Sequence, residues 1–213
     1  LVTALIKADK YDIQIISLPW GMCPTDALKP DNEEHQAIIK HIARGHINKQ
    51  PDVFIQISVP NEFQAHGKYN IGITAGIETD RVSHEFIEGC NRMDMNIVTS
   101  EHSKTGFTKT VYDKVNDKTK QKEGELRLFK PIEVLFEGLD LNIYKKTTKI
   151  HDTVLSELEN IKDDFCYLFT GHWLRGNMGQ DRKDVGMMIK TFCEAFKNKQ
   201  SKNRPALTLS YTV

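Results

Sequence analysis

Short runs of β-branched and aromatic residues recur along the chain, and stretches with helical spacing lie between them. The strand-like runs are Ile13–Leu18, Val53–Val59, Tyr69–Ala75, Asn96–Thr99, Ile132–Phe136, Phe165–Phe169 and Pro205–Val213. Between them, apolar residues return every three or four positions, as a helix buried on one face requires. Leu1, Leu5 and Ile6 open the series with Ala8, and Ala37, Ile38 and Ile42 follow. Phe86, Ile87, Cys90 and Met93 come next, then a helix from about Ser100 to Val111. Val154, Leu155, Leu158 and Ile161 form a fifth stripe, and Val185, Met188, Ile189, Phe192 and Phe196 a sixth. Start signals agree: Asp31 stands three residues before Glu34, as in a capping box, and Ser83 and Ser100 stand where helices begin. Residues 113–127, mostly Lys, Asp, Glu, Thr and Gln, read as a solvated loop or hairpin.

Strands alternating with helices specify α/β layers around a mostly parallel sheet, each crossover covering the sheet with a helix. A polar connector near 141–150 divides a larger unit, residues 1–143, from a partial second α/β unit, residues 144–213. The second unit holds a single strand–helix–strand, too little to bury its own faces. The first helix follows no strand and the last strand simply stops, so both ends read as cut.

Length and charge narrow the function classes. The chain has 213 residues, and 29 Lys+Arg balance 29 Asp+Glu. A dedicated nucleic-acid binder is normally basic, so no nucleic-acid partner is expected. No apolar run reaches the ~18 residues of a membrane span. The lysines at 114, 118, 120 and 122 belong to the mixed-charge loop and need no membrane surface. Cys23, Cys90, Cys166 and Cys193 lie far apart in apolar surroundings, which reads as reduced core cysteines of a cytoplasmic protein. His35, His41 and His46 are not spaced to share a metal and read as solvated; no metal or cofactor is expected. No G-x-G-x-x-G follows an early strand, which counts against a dinucleotide oxidoreductase.

One stretch carries chemistry: Phe169-Thr170-Gly171-His172-Trp173-Leu174-Arg175-Gly176-Asn177-Met178-Gly179-Gln180-Asp181-Arg182-Lys183-Asp184-Val185. Its glycines have phosphate-loop spacing, but Asn177-Met178 replaces the Lys-Ser/Thr of a Walker loop. It is a glycine-rich passage from a strand into a helix, the place where parallel sheets bind ligands. A helix N-terminus favours anions, and Arg182 and Lys183 at its start need a compensating charge such as a bound di-anion.

These segments, in this order, resemble the retaining glycosyltransferases of the GT-B type, family 4 or "group 1". Asn70–Asp80, Glu85–Asp94 and Ile97–Glu101 are similar to the later part of that family's first Rossmann-like domain. Val134-Leu135-Phe136-Glu137-Gly138-Leu139-Asp140 is similar to its passage into the second domain, and Phe169–Phe196 to that domain's beginning. The resemblance implies a Rossmann-like first domain and the start of a nucleotide-sugar-binding domain. It implies sugar transfer from a nucleotide-diphosphate donor to an unknown acceptor between two domains. By resemblance, Gly171 matches the diphosphate-binding turn and Lys183 its lysine. His172 stands where an arginine usually follows the glycine, leaving Arg182 or Arg175 as second cation. Glu78 stands near the place of a sugar- or acceptor-contacting histidine and is the catalytic candidate. The family's first strand and glycine loop precede Leu1, and its paired glutamates fall beyond Val213. Glu125 and Glu133 share that spacing by coincidence. The resemblance therefore implies a fragment with little or no activity. Unpaired sheet edges offer an alternative, a non-catalytic interaction protein that forms homo-oligomers.

Overall fold

The computed structural model describes residues 1–18, 26–43, 45, 49–173, 176–181, 183–200 and 203–212. The chain forms two compact units, Leu1–Gly138 and Leu139–Val213. Among the described residues, no helix is long and apolar enough to cross a membrane.

The first unit begins with helices α1 (Val2–Ala8) and α2 (Glu33–Ile39), followed by strand β1 (Val53–Ile57) and a 3-10 turn at Pro60–Glu62. Strand β2 (Tyr69–Thr74), helix α3 (His84–Arg92), strand β3 (Met95–Val98) and helix α4 (Glu101–Lys109) continue the alternation. Strands β4 (Val111–Val115) and β5 (Lys122–Arg127) precede β6 (Ile132–Val134). Strands β1-β2-β3-β6 make one parallel sheet in that order. The chain is thus α/β with a mostly parallel, Rossmann-like sheet. The polar segment 113–127 is an antiparallel hairpin, β4 against β5, on the path from α4 to β6.

Strands that advance in one direction through a sheet send their right-handed crossovers over one face. The core accordingly lies on one side, where Phe63, Ile87, Cys90, Met93 and Phe107 pack against Val98 and Ile132. Burial there pushes the Cys90 thiol up to about 12. The covered face also carries Gln56, Asn70, Thr74 and Asn96, all buried. Burying an amide is tolerable only if its polar atoms are bonded. Gln56 donates to the Glu62 carbonyl at 2.9 Å and accepts from the Gln64 amide at 2.9 Å. Asn70 accepts from the Gly67 amide at 2.8 Å and donates to the Gly67 carbonyl at 3.1 Å. Asp94 fastens the amino end of β2 by accepting from Asn70 N–H at 2.9 Å, and Lys130 reaches it at 3.3 Å. Those Asn70 hydrogen bonds, ahead of Lys130, hold the Asp94 carboxyl below the usual carboxylate range.

Several expectations need correction. Asn32, not Asp31, caps α2, its side chain accepting from Glu34 and His35 N–H. The run Ile13–Leu18 contributes only one parallel bridge, Ile15 to Ile42, because the described chain brings it no longer partner. His35 and His41 are half-buried rather than solvated: His35 Nδ1 accepts from Lys29 N–H, and His41 Nδ1 lies 3.1 Å from the Ile13 carbonyl. His46 and Cys23 lie outside the described residues.

The second unit holds helix α5 (Asp152–Glu159), strand β7 (Cys166–His172), helix α6 (Val185–Phe196) and strand β8 (Ala206–Thr212). β7 and β8 pair in parallel from Cys166–Ala206 to His172–Thr212. The Tyr167 ring meets Phe192 and Phe196 of α6 at centroid distances of 6.0 and 6.1 Å. β7 is not the buried strand its composition suggests: Leu168 is 70% and Phe165 60% exposed. Among the described residues, α6 packs on the Tyr167 side of the strand pair, and Leu168 on the other side stays in solvent. Cys166 is only half-buried and Cys193 exposed, so Cys90 alone of the described cysteines is a core residue; all three are free.

Candidate functional site

In a parallel sheet the loops at the carboxyl ends of the strands gather at one edge. β7 delivers its end at His172, and the return to α6 passes through the glycine-rich loop. Gly171 does not form the turn: it lies inside β7, paired with Tyr211, and is half-buried. His172 is the last, exposed residue of β7. Trp173 follows, its ring 5.3 Å from that of Tyr211. The tight bend comes later, at Gly179, whose φ of 85° lies in the left-handed region that favours glycine.

Between β7 and α6 two carboxylates, Asp181 and Asp184, accept backbone amides of the loop. Asp184 takes φ 47° and accepts from the Gly179 amide at 3.0 Å. Asp181 is only 8% exposed. Its carboxylate accepts from the Lys183 amide at 3.4 Å and from Val185 N–H at 3.2 Å, and its carbonyl accepts from Asp184 N–H at 2.8 Å. The side chain of Asp181 therefore occupies the start of α6, where it both satisfies free donors and complements the positive end of the helix dipole. Sequence reasoning gave Asp181 no role. The signal for it is an Asp placed four residues ahead of the first helical residue. Lys183 is exposed and makes no ion pair with the other described residues. Arg182 and Arg175 lie outside the described residues. Topology thus brings Gly171, His172 and Lys183 to the carboxyl end of β7.

Glu78 belongs to the first unit. It is exposed, in the loop that leaves the carboxyl end of β2. That loop is bolted to the start of α4. The Thr99 hydroxyl donates to the Ala75 carbonyl at 2.8 Å, and the Ile77 amide donates to Ser103 Oγ at 3.4 Å. Ser100 Oγ donates to Ser103 Oγ and caps α4 by accepting from Ser103 N–H, both at 3.1 Å. His102 Nε2 lies 3.1 Å from the Thr79 carbonyl. Gly76, with φ 92°, passes so close to Ser103 that a Cβ would run into its hydroxyl. The loop carrying Glu78 is fixed by this hydroxyl network, which the pattern Thr-Ser-x-x-Ser after a strand already hinted at. Glu133 pairs with Lys104 at 2.9 Å between β6 and α4. Glu125 lies in the hairpin and binds Lys122 at 3.0 Å.

No family model matches the chain, and neither a curated protein nor a solved structure does.

Proposed function

We propose that the chain is part of a glycosyltransferase that takes a sugar from a nucleotide-diphosphate donor, with its second unit supplying the first contacts to the donor's diphosphate. The observation that carries this reading is the β7–loop–α6–β8 unit: a parallel strand pair whose glycine-containing connection ends in an exposed cation, Lys183, at the start of a helix. Negative charge builds on the leaving diphosphate as the glycosidic bond breaks, and a fixed cation stabilises it. Because Asp181 already takes the Lys183 and Val185 amides, the diphosphate is held by the Lys183 side chain rather than by those amides. Glu78 faces the acceptor side in this reading, positioned by the Ser103 network. Downstream of Lys183 the sequence contains one glutamate, Glu194, and so no glutamate pair to grip the donor's ribose and sugar. In this reading the 213 residues alone bind nucleoside diphosphate weakly and turn over little or no nucleotide sugar.

Two variants test the reading. UDP, GDP and ADP are added in turn while thermal unfolding is followed; at least one is expected to raise the midpoint, and Lys183→Ala to abolish the rise. A shift unchanged in Lys183→Ala sinks the assignment. Asp181→Asn removes a negative charge beside the same position while keeping one acceptor for the helix start. Relief of repulsion on the order of 1 kcal/mol at that range predicts roughly fivefold tighter nucleotide binding by titration calorimetry. Weaker binding in Asp181→Asn, with unfolding unaltered, excludes an anion at this helix start.

A further inference from the structure

The sheet of the first unit has an edge that nothing among the described residues pairs with. Backbone groups of a parallel strand point alternately to its two neighbours. In β1 the even positions serve β2: Tyr69 N–H donates to the Asp52 carbonyl, and Ser58 N–H to the Ile73 carbonyl. Val53, Ile55 and Ile57 therefore aim their N–H and C=O groups outward. The same three residues share one sheet face and are 52%, 36% and 51% exposed. Natural edges are usually guarded by a lysine, a proline, a bulge or an inward charge. Val53-Phe54-Ile55-Gln56-Ile57 has none of these. The opposite edge differs: β6 is three residues long and carries Glu133, ion-paired to Lys104.

We infer that β1 pairs antiparallel with β1 of a second copy of this chain, about a two-fold axis through Ile55. The parity of the strand requires this register. Antiparallel partners exchange both hydrogen bonds only between residues that both point at each other. With Ile55 opposite Ile55, Val53 falls opposite Ile57 and Ile57 opposite Val53, so every outward group of the strand is satisfied. The cross-strand pairs on the open face are then all β-branched, which is a favourable combination. Asp52 falls opposite Ser58 and meets no like charge. Formal net charge is zero and the isoelectric point is about 7.2, so two copies do not repel at neutral pH. The interface is isologous and closes on itself, giving a dimer rather than a fibre. Five residues per strand with the neighbouring Tyr69, itself 44% exposed, is a small contact, at the low end of specific interfaces. The dimer is accordingly concentration-dependent.

Sedimentation velocity on the chain over roughly 1–500 μM brackets the ~10–100 μM dissociation constant expected of so small an interface. A monomer–dimer equilibrium is expected, and Ile55→Lys is expected to remain monomeric throughout with an unchanged circular dichroism spectrum. A hydrogen-bonded antiparallel pair places its Cα atoms about 5.5 Å apart, within disulfide reach. Ile55→Cys should therefore give a disulfide-linked dimer on mild oxidation, above the background that exposed Cys193 gives in the parent chain. A parent chain monomeric at every concentration overturns the inference. So does a folded Ile55→Lys that dimerises as well as the parent, or an Ile55→Cys that crosslinks no more than background. Should Ile55→Lys fail to fold, the crosslink decides.

Discussion

Phe63→Ala is expected to lower the free energy of unfolding by about 3–5 kcal/mol, the usual cost of emptying a large buried aromatic site. Phe63 is 0% exposed and lies at the centre of the first unit's core. Its ring rests on Gly72, where a Cβ would overlap it, so the sheet leaves no side chain to fill the hole. The Phe63 carbonyl also accepts from Arg92 Nε at 2.8 Å, tying the turn after β1 to the end of α3. Collapse into the cavity is thereby resisted from both sides. Urea unfolding followed by fluorescence measures the effect as a lower midpoint with an unchanged slope. A loss under about 1 kcal/mol contradicts this account of the core.

The second large effect lies at Asn96, which is 1% exposed. Its Nδ2 donates to the Cys90 carbonyl at 3.0 Å and the Pro131 carbonyl at 3.3 Å. Its Oδ1 is buried and meets no donor among the described residues. Asn96→Asp replaces the donating nitrogen by an oxygen that faces two carbonyls and, when ionised, buries an unpaired charge. We expect a loss of about 3–5 kcal/mol at pH 7. Burial raises the folded-state pKa of the new carboxyl above its unfolded value near ~3.9. The folded state then binds more protons, so the penalty is smallest below ~4 and grows as pH rises toward the folded pKa. Asn96→Leu, which removes the orphaned oxygen, should be less harmful than Asn96→Asp at pH 7 and show no such pH dependence. Equal losses for the two variants, flat between pH 4 and 7, rule out this electrostatic cause.

Much of the architecture is written in local pattern. Tyr69–Thr74 and Met95–Val98 announce themselves by β-branched runs, and α6 by its stripe from Val185 to Phe196. What the pattern hides is which face is covered. Val53, Ile55 and Ile57 look like core and are half in solvent, whereas polar Gln56 and Asn70 are buried. Hydropathy cannot foresee this, because backbone groups of Gly67, Glu62 and Gln64 satisfy those amides. The same blindness made β7 look buried: composition shows that a strand is apolar but not whether a second layer lies on it. At the candidate site, the passage from β7 to α6 was legible from its glycines. The position of the bend was not, since Gly171 and Gly179 differ only in φ, and strand pairing to Tyr211 decides between them. Nor was the Asp181 carboxylate, whose burial depends on how the loop closes.

The amides on the covered face have a mechanical meaning. A layer held by greasy contact alone can slide, because one methyl packs nearly as well as the next. Gln56, Asn70 and Asn96 instead act as pegs: Gln56 and Asn70 pin the loops next to their own strands, and Asn96 ties β3 to the end of α3 and to the residue before β6. Strand β2, from whose far end the Glu78 loop departs, is thereby tied at its start by hydrogen bonds as well as by packing.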